Sequence, residues 1–274
     1  PTVTFPNPEE PGAIDLALET ARAFDADLVI ANDPDADRCA AAVKDPIKGW
    51  RMLRGDELGV ILGETIARAT TQGILANSIV SSSILSKIAA HYKLDFKETL
   101  TGFKWLAKID GLTFGYEEAL GYAVDAVTVN DKDGISAAIK LAQIATDLAA
   151  QNKTLLGLLD EVWARHGFHA TEQISIRLSD LSQVGVIMGN LRRNSPKEIA
   201  GRTVASIDDL AKPKDGLPPT DGLRIWLDGG IRIIIRPSGT EAKMKCYIEA
   251  IAKDSATAQT VLDQLRAPLK ELLS

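Results

Sequence analysis

Apolar positions along residues 13–166 fall into two alternating patterns, helical spacing and short continuous runs. Helical spacing predicts amphipathic helices, and short apolar runs that end in polar or glycine residues predict strands. The predicted helices are Ala13–Phe24, Asp56–Thr70 with Asp56 as its N-cap, Ser83–His91, Lys104–Ile109, Gly134–Gln151 and Thr154–His166. The predicted strands are Leu28–Ala31, Cys39–Val43, Ser78–Val80, Phe96–Leu100 and Leu112–Phe114. Strands that alternate with helices in this way predict α/β domains with a largely parallel or mixed sheet.

The pattern changes near Arg165–Gly167, after which alternating strands dominate. The turn Asp228-Gly229-Gly230 between two such strands is typical of a hairpin. The predicted elements are strands Gln173–Leu178, Leu223–Leu227, Ile231–Arg236 and Met244–Ala252, with helices Leu181–Leu191 and Ser255–Leu272, the latter capped by Ser255. The sequence therefore predicts mixed-sheet α/β domains followed by a C-terminal α+β domain with an antiparallel sheet.

Composition narrows the class of protein. The 274 residues are 45% hydrophobic and 25% charged, which is typical of a globular chain of two or more compact units. A net charge of −6 argues against nucleic acid as the main partner, and no apolar run approaches about 18 residues, so no membrane span is predicted. Cys39 and Cys246 lie too far apart to suggest a disulfide framework, so a cytoplasmic location is expected. Because the chain opens on Pro1 and a proline-rich loop, we interpret it as part of a longer protein.

Three carboxylates occupy alternate positions directly after the predicted strand Leu28–Ala31. Asp33, Asp35 and Asp37 repel one another in a folded loop, and a divalent cation would remove that cost. Oxygen ligands without Cys or His favour Mg²⁺ over zinc or copper. Arg38 follows directly, and its planar guanidinium suits a phosphate or carboxylate group.

Three other interpretations of this acidic loop compete with a Mg²⁺ site. A solvated acidic turn is a common alternative for such a short motif. A helix-loop-helix calcium site fails, because positions 6 and 12 counted from Asp33 hold Arg38 and Lys44 instead of Gly and Glu. An aspartyl phosphatase with Asp33 as nucleophile is disfavoured, because Asp37 stands where that family has Thr or Val.

Two further loops carry binding chemistry. Glu117 and Glu118 follow an apolar strand and lie between glycines, so they suit a rim that accepts hydrogen bonds from sugar hydroxyls, although a solvated strand end is the simpler alternative. The loop Arg236–Lys243 combines hydroxyls, glycine and two cations, which favours an anion-binding nest over a plain Ser/Gly turn. It lacks the Walker A spacing.

These three loops, in this order, resemble those of the α-D-phosphohexomutase superfamily, the phosphoglucomutases and phosphomannomutases. The R-P-S-G-T-E segment that begins at Arg236 is the most specific element. The resemblance implies that Mg²⁺ is bound by Asp33, Asp35 and Asp37, with Arg38 beside the reacting phosphate. It further implies that Glu117 and Glu118 bind sugar hydroxyls. The implied contacts to the phosphate that is not transferred come from Arg236, Ser238, Gly239 and Thr240, with Lys243 as a helper.

The same resemblance implies three domains and a missing one. Residues 1–53 would be the remainder of domain II with the metal loop, 54–165 domain III with the sugar loop, and 166–274 domain IV with the phosphate loop, joined to domain III by a hinge. The phosphoserine motif Thr-Ala-Ser-His-Asn-Pro does not occur in the sequence, and the serine cluster 81–83 lacks its His-Asn-Pro tail. We therefore expect the chain to be inactive by itself.

The implied reaction moves phosphate between positions 1 and 6 of a hexose through a phosphoserine and a hexose 1,6-bisphosphate. The only partner expected is a small sugar phosphate, with no nucleic acid and no membrane. The usual sugar loop Gly-Glu-Glu-Ser-Gly-His is altered here by Tyr116, Ala119, Leu120 and Tyr122, so a phosphopentomutase-like enzyme is an alternative. A sugar-phosphate-binding module without catalysis is another.

Overall fold

The computed structural model describes residue 3 and residues 6–214, 216–239 and 241–273. The chain divides into two compact units, Pro1–His166 and Gly167–Ser274. Among the described residues, no helix combines the length and the apolar character that crossing a membrane would require.

The first unit begins with a small antiparallel sheet. Strands β1 (Leu28–Asn32), β2 (Cys39–Asp45) and β3 (Gly49–Met52) follow one another in that order across the sheet, and helix α1 (Asp15–Ala23) precedes them. Asn32 pairs with Cys39, so the acidic segment is the loop of the β1–β2 hairpin. The apolar residues of β1 and β2 are largely buried, which makes this hairpin a firm support for its loop.

A second, four-stranded sheet lies in the same unit. Its order is β5-β4-β6-β7; β4 is parallel to β5 and β6, and β7 is antiparallel to β6. The strands are β4 (Ile74–Ser78), β5 (Asp95–Thr99), β6 (Leu112–Glu117) and β7 (Gly121–Ala123). The helices are α2 (Gly55–Ala69), α3 (Ile84–Tyr92), α4 (Gly134–Ala149) and α5 (Leu155–His166), with a 3₁₀ turn at Leu106–Lys108.

Helix α2 is buried along most of its length because glycines let aromatic rings approach it. A methyl group on Gly59 would lie 2.7 Å from the Tyr116 ring, and one on Gly63 would lie 3.0 Å from the Phe114 ring. Leu58, Ile61 and Leu62 of the same helix are fully buried in the main core of the unit. Close packing of this kind fixes α2 relative to the strand that carries Glu117.

The second unit is built on a six-stranded, fully antiparallel sheet of order β8-β13-β12-β11-β10-β9. Its apolar face packs with the two helices of the unit into a single core. The strands are β8 (Phe168–Arg177), β9 (Glu198–Ile199), β10 (Arg202–Asp209), β11 (Leu223–Leu227), β12 (Ile231–Pro237) and β13 (Lys243–Ala252), and the helices are α6 (Ser182–Arg193) and α7 (Ser255–Leu272). The predicted fold class, mixed α/β followed by antiparallel α+β, is confirmed.

Several local predictions were wrong, for physical reasons. Asp56 does not cap α2, because its carboxylate is engaged elsewhere; the helix begins after Arg54, whose backbone N–H donates to Glu57 Oε2 at 2.9 Å. Asp254, not Ser255, caps α7. The strand predicted at Ser78–Val80 ends at Ser78. Strands β3, β7, β9 and β10 were missed; the first three are short, and all four carry little apolar alternation.

Candidate active site

The acidic loop between β1 and β2 is held in a tight turn by its own backbone. The N–H of Ala36 donates to the carbonyl of Asp33 at 2.9 Å, and Ala36 adopts a left-handed conformation with φ of 58°. The N–H of Arg38 donates to Asp33 Oδ1 at 3.0 Å, and Asn32 Nδ2 donates to the Arg38 carbonyl at 2.6 Å. A non-glycine residue in this conformation costs about 1 kcal/mol, so the surrounding contacts hold the loop in place.

The turn brings the three aspartates together. Asp33, Asp35 and Asp37 each present a carboxylate oxygen within 4.8 Å of the other two. Oxygens that share one Mg²⁺ at about 2.1 Å are separated by about 3 to 4 Å, so these residues fit the ion with little movement. The Asp33 side chain is only 8% exposed, so its charge is poorly hydrated and gains most from a cation.

Two cations face these carboxylates. Arg38 Nε lies 3.6 Å from Asp33 Oδ2 and 4.0 Å from Asp37 Oδ1. Lys132 Nζ lies 2.5 Å from Asp37 Oδ2. Burial lowers the pKa of Lys132, but its hydrogen bond to Asp37 outweighs burial, and the pKa is raised. Lys132 was not predicted from the sequence, because it stands 94 positions beyond the end of the acidic loop and belongs to no sequence motif.

The second loop, which joins β6 to β7, carries the two glutamates. Glu117 Oε1 accepts a 2.6 Å hydrogen bond from the backbone N–H of Gly102. Glu118 Oε2 accepts hydrogen bonds from Ser81 Oγ at 3.0 Å and Ser78 Oγ at 3.2 Å. Burial, and then the charges of nearby carboxylates, raise the pKa of Glu118 to about 7. Glu118 therefore exists in both protonation states near neutral pH.

The acidic loop and the glutamate loop are joined backbone to backbone. The N–H of Cys39 donates to the carbonyl of Leu120 at 3.0 Å, and Arg38 pairs with Gly121 as an isolated antiparallel bridge. Leu120 is fully buried with φ of 66°. The structure thus places Asp33, Asp35, Asp37 and Arg38 in the same neighbourhood as Glu117 and Glu118.

The third loop lies in the second unit, in the hairpin between β12 and β13. The N–H of Ser238 donates to the carbonyl of Lys243 at 2.8 Å, and Lys243 Nζ lies 3.0 Å from Glu241 Oε2. Among the residues that the structure describes, none would lie within 4 Å of a methyl group on Gly239, so a ligand has access to this backbone. Arg236 pairs across the hairpin with Lys245, which adds positive charge to the loop. Thr240, which was predicted to contact phosphate, lies outside the described residues.

The pKa of Glu241 reflects the positive charge around this hairpin. Its pKa is lowered by a hydrogen bond from Lys243 first, and then by the charges of Lys243, Arg177 and Lys245. Four basic side chains therefore surround the loop once Arg236 is included. A patch of this sign suits a phosphate group.

The chain matches models of a known protein family over most of its length. Three profiles of the phosphoglucomutase/phosphomannomutase family match the chain: alpha/beta/alpha domain II over residues 1–49, alpha/beta/alpha domain III over residues 54–166, and the C-terminal domain over residues 188–267. The chain belongs to the phosphoglucomutase/phosphomannomutase family. The three-domain division at residues 53 and 165 and the roles of the site residues stay predictions.

The proteins similar to this chain carry the names of different phosphosugar mutases. A probable phosphomannomutase of Haemophilus influenzae is 48% identical over 275 residues, which cover 100% of this chain and 56% of the relative. Human phosphopentomutase is 35% identical over 310 residues, with 100% of this chain and 50% of the relative covered. The open form of Paramecium parafusin, a phosphoglucomutase, has the same fold, with a TM-score of 0.71, 22% identity and coverage of 97% and 50%. The chain spans about half the length of these proteins.

Proposed function

We propose that this chain is the metal- and sugar-phosphate-binding part of a phosphosugar mutase that exchanges phosphate between two positions of a hexose. The observation that carries the proposal is the convergence of Asp33, Asp35 and Asp37 within 4.8 Å, in a loop hydrogen-bonded to the one that carries Glu118. Family membership supports the reaction type, and the relatives named as mutases of glucose, mannose and pentose phosphates support the substrate class.

The proposed division of work follows from the chemistry of phosphoryl transfer. The transition state spreads negative charge over the transferred group, so catalysis consists mainly of positioning and charge stabilisation. Mg²⁺ bound by the three aspartates would supply Lewis-acid stabilisation. Arg38 lies at the edge of this cluster and would orient a phosphate oxygen through its guanidinium.

The remaining groups would bind the substrate. Glu117 and Glu118 would accept hydrogen bonds from sugar hydroxyls, and Glu118 could also donate one when protonated. We propose that Arg236, Ser238, Gly239, Thr240 and Lys243 hold the phosphate that stays on the sugar. The phosphoserine that would exchange phosphate with the sugar is proposed to lie outside this chain, and a hexose 1,6-bisphosphate would be the intermediate.

A pentose phosphate is the second candidate substrate. Tyr116 and Tyr122, which depart from the usual sugar loop, are buried and stack with ring centroids 6.3 Å apart. Their hydroxyls donate to Asp56 and to the carbonyl of Gly55, so they reshape the support of the loop rather than face a ligand. The similarity to human phosphopentomutase favours the same alternative.

Binding calorimetry of the purified chain tests the proposal. With Mg²⁺ present, we expect the chain to bind glucose 1,6-bisphosphate, mannose 1,6-bisphosphate or ribose 1,5-bisphosphate, and the affinity order decides the sugar. Asp35→Asn should weaken Mg²⁺ binding. We expect no interconversion of glucose 1-phosphate and glucose 6-phosphate by the chain alone. Turnover would refute the external phosphoserine, and failure to bind any of the three bisphosphates would refute the proposed function.

A further inference from the structure

The turn after β4 contains a cluster of buried serines whose role the proposed reaction does not explain. Ser78, Ser81 and Ser82 are each at most 1% exposed. A buried hydroxyl needs a hydrogen-bond partner, and burial keeps it away from a phosphate donor. These serines are therefore structural parts of a site, and their contacts show which one.

Ser81 forms two hydrogen bonds with Glu118. Its Oγ donates to Glu118 Oε2 at 3.0 Å and accepts the backbone N–H of Glu118, also at 3.0 Å. Ser78 Oγ donates to the same Oε2 at 3.2 Å and lies 2.9 Å from Ser81 Oγ. Both serine contacts to the carboxyl group use Oε2, so neither of them occupies Oε1. We call Ser78 and Ser81 the serine clasp.

The clasp is itself fixed by the start of α2. Asp56 Oδ1 accepts the backbone N–H of Ser82 at 2.7 Å and the hydroxyl of Tyr116 at 2.8 Å. One carboxylate thereby ties the serine turn to the strand that leads into Glu118. Gly55 lets the backbone of Glu118 pack directly against the start of α2, since a methyl group at position 55 would lie 1.7 Å from the Glu118 carbonyl oxygen.

We propose that Ser81, assisted by Ser78, is a positioning residue that presents the carboxyl group of Glu118 to a substrate hydroxyl and thereby sets the affinity for the sugar. The inference deepens the proposed function and rests on it. Ser81 touches no substrate in this scheme. It fixes the backbone and the side chain of Glu118 together, so a carboxyl group with three rotatable bonds is ordered before the ligand arrives.

The test compares Ser81→Ala with Ser86→Ala in the 274-residue chain. Ser86 is a matched control, because its hydroxyl donates to the carbonyl of Ser83 at 2.7 Å instead of to Glu118. Ser81→Ala should weaken binding of the preferred sugar bisphosphate about tenfold, the size expected for a lost hydrogen bond to a charged group. Ser86→Ala should not. Inorganic phosphate, which offers no sugar hydroxyl, should bind both variants like the wild type.

A second readout needs no sugar. A ¹³C carboxyl NMR titration follows Glu118 directly, and Ser81→Ala should move its midpoint further upward, because the serine hydroxyls stabilise the ionised form. Ser78→Ala removes one hydroxyl and should produce a smaller shift of the same sign, which keeps the test valid if Ser81→Ala folds poorly. In a Glu118→Ala background, Ser81→Ala should no longer change sugar binding, whereas a merely structural effect would persist.

The outcomes separate the two proposals. If the wild-type chain binds none of the sugar bisphosphates, the proposed function fails, while the titration still reports on the clasp. If the wild type binds but Ser81→Ala binds equally well, or if the loss persists without Glu118, the positioning role is wrong. An unchanged Glu118 titration in Ser81→Ala would also overturn it.

Discussion

The backbone N–H of Gly134 donates a 3.0 Å hydrogen bond to the carbonyl of Ala36. The first residue of α4 is therefore bonded directly to the backbone of the acidic loop. The approach is possible because position 134 has no side chain. A methyl group there would lie 2.2 Å from the Arg38 carbonyl oxygen and 2.7 Å from that of Ala36. The geometry of the three aspartates thus depends on a residue a hundred positions away in the sequence.

Gly134→Ala should therefore destabilise the chain and weaken its affinity for Mg²⁺. Overpacking against backbone oxygens costs about 1–3 kcal/mol, and relief requires the acidic loop to move. Gly157→Ala is the control, since its methyl group would make ordinary contact at 3.4 Å with Thr154 and should stabilise α5 by about 0.5–1 kcal/mol. Chemical denaturation and Mg²⁺ calorimetry measure both effects. Equal stability of the two variants would contradict the close packing of Gly134 against the acidic loop.

We expect Lys132 to compete with Mg²⁺ for Asp37. Its Nζ lies 2.5 Å from Asp37 Oδ2, so part of the negative charge of the cluster is already neutralised. Lys132→Met should strengthen Mg²⁺ binding by roughly tenfold, since a nearby like charge repels the ion. Lys108→Met is the control, because Lys108 stacks on Trp105 and should leave Mg²⁺ affinity unchanged. Weaker Mg²⁺ binding by Lys132→Met would instead mean that the lysine organises the site.

Glu118 should make the stability of the chain fall as the pH rises toward neutrality. Burial and neighbouring carboxylates raise its folded pKa from 4.5 to about 7, so the folded state holds the proton more tightly than the unfolded state. The resulting contribution is full below pH 4.5 and is lost as the pH rises through 7. Glu118→Gln removes this dependence, so its unfolding free energy relative to wild type should grow by roughly 3 kcal/mol between pH 4.5 and 7.5.

The control for that measurement is Glu161→Gln. A hydrogen bond from Lys153 lowers the pKa of Glu161, so its contribution has the opposite sign and is lost as the pH falls. Because Glu161 is exposed, the effect should be small. Denaturant unfolding at a series of pH values checks both variants. Parallel pH profiles for wild type and Glu118→Gln would show that Glu118 does not titrate as described.

Glu64 anchors the end of α5 from inside the protein. Its side chain is fully buried, and Oε1 accepts hydrogen bonds from Tyr92 at 2.6 Å, Arg165 at 2.9 Å and Arg68 at 3.1 Å. Burial raises the pKa of Glu64, but these three donors outweigh burial and hold it low. Glu64→Gln removes the buried carboxylate that two guanidinium groups share; because both arginines are partly exposed, it should cost about 2 kcal/mol.

Tyr92→Phe removes the hydrogen bond to Glu64 Oε1 and a longer one, 3.4 Å, from Arg68 Nε, and should cost about 1 kcal/mol. Thermal unfolding monitored by circular dichroism compares the two variants. Glu64→Gln should be the less stable by a clear margin. A reversed order would mean that the hydroxyl, not the ion pair, secures α5.

Much of the fold was accessible from the sequence, because apolar periodicity reflects burial directly. The long elements α4, α7, β12 and β13 were predicted within one or two residues of their observed limits. Short strands such as β7 were missed, because three residues carry no periodic signal; β7 is defined by its pairing with β6, the strand immediately before it. The N-cap of α2 was misassigned because of a tertiary contact. Asp56 has the right chemistry for an N-cap, but its carboxylate accepts a hydrogen bond from the Tyr116 hydroxyl instead.

Residue order alone specifies the chemical groups of the candidate site: three aspartates at alternate positions, a pair of glutamates and a basic Ser/Gly loop, each at the end of an apolar strand. Local spacing encodes such motifs, since neighbouring residues in a tight turn stay close whatever the rest of the chain does. Only the tertiary structure placed Lys132, Gly134 and the serine clasp at the two loops. Those contacts join residues 37 to 98 positions apart in the chain. They arise from the packing of α2, α4 and β4, so a local sequence pattern cannot predict them.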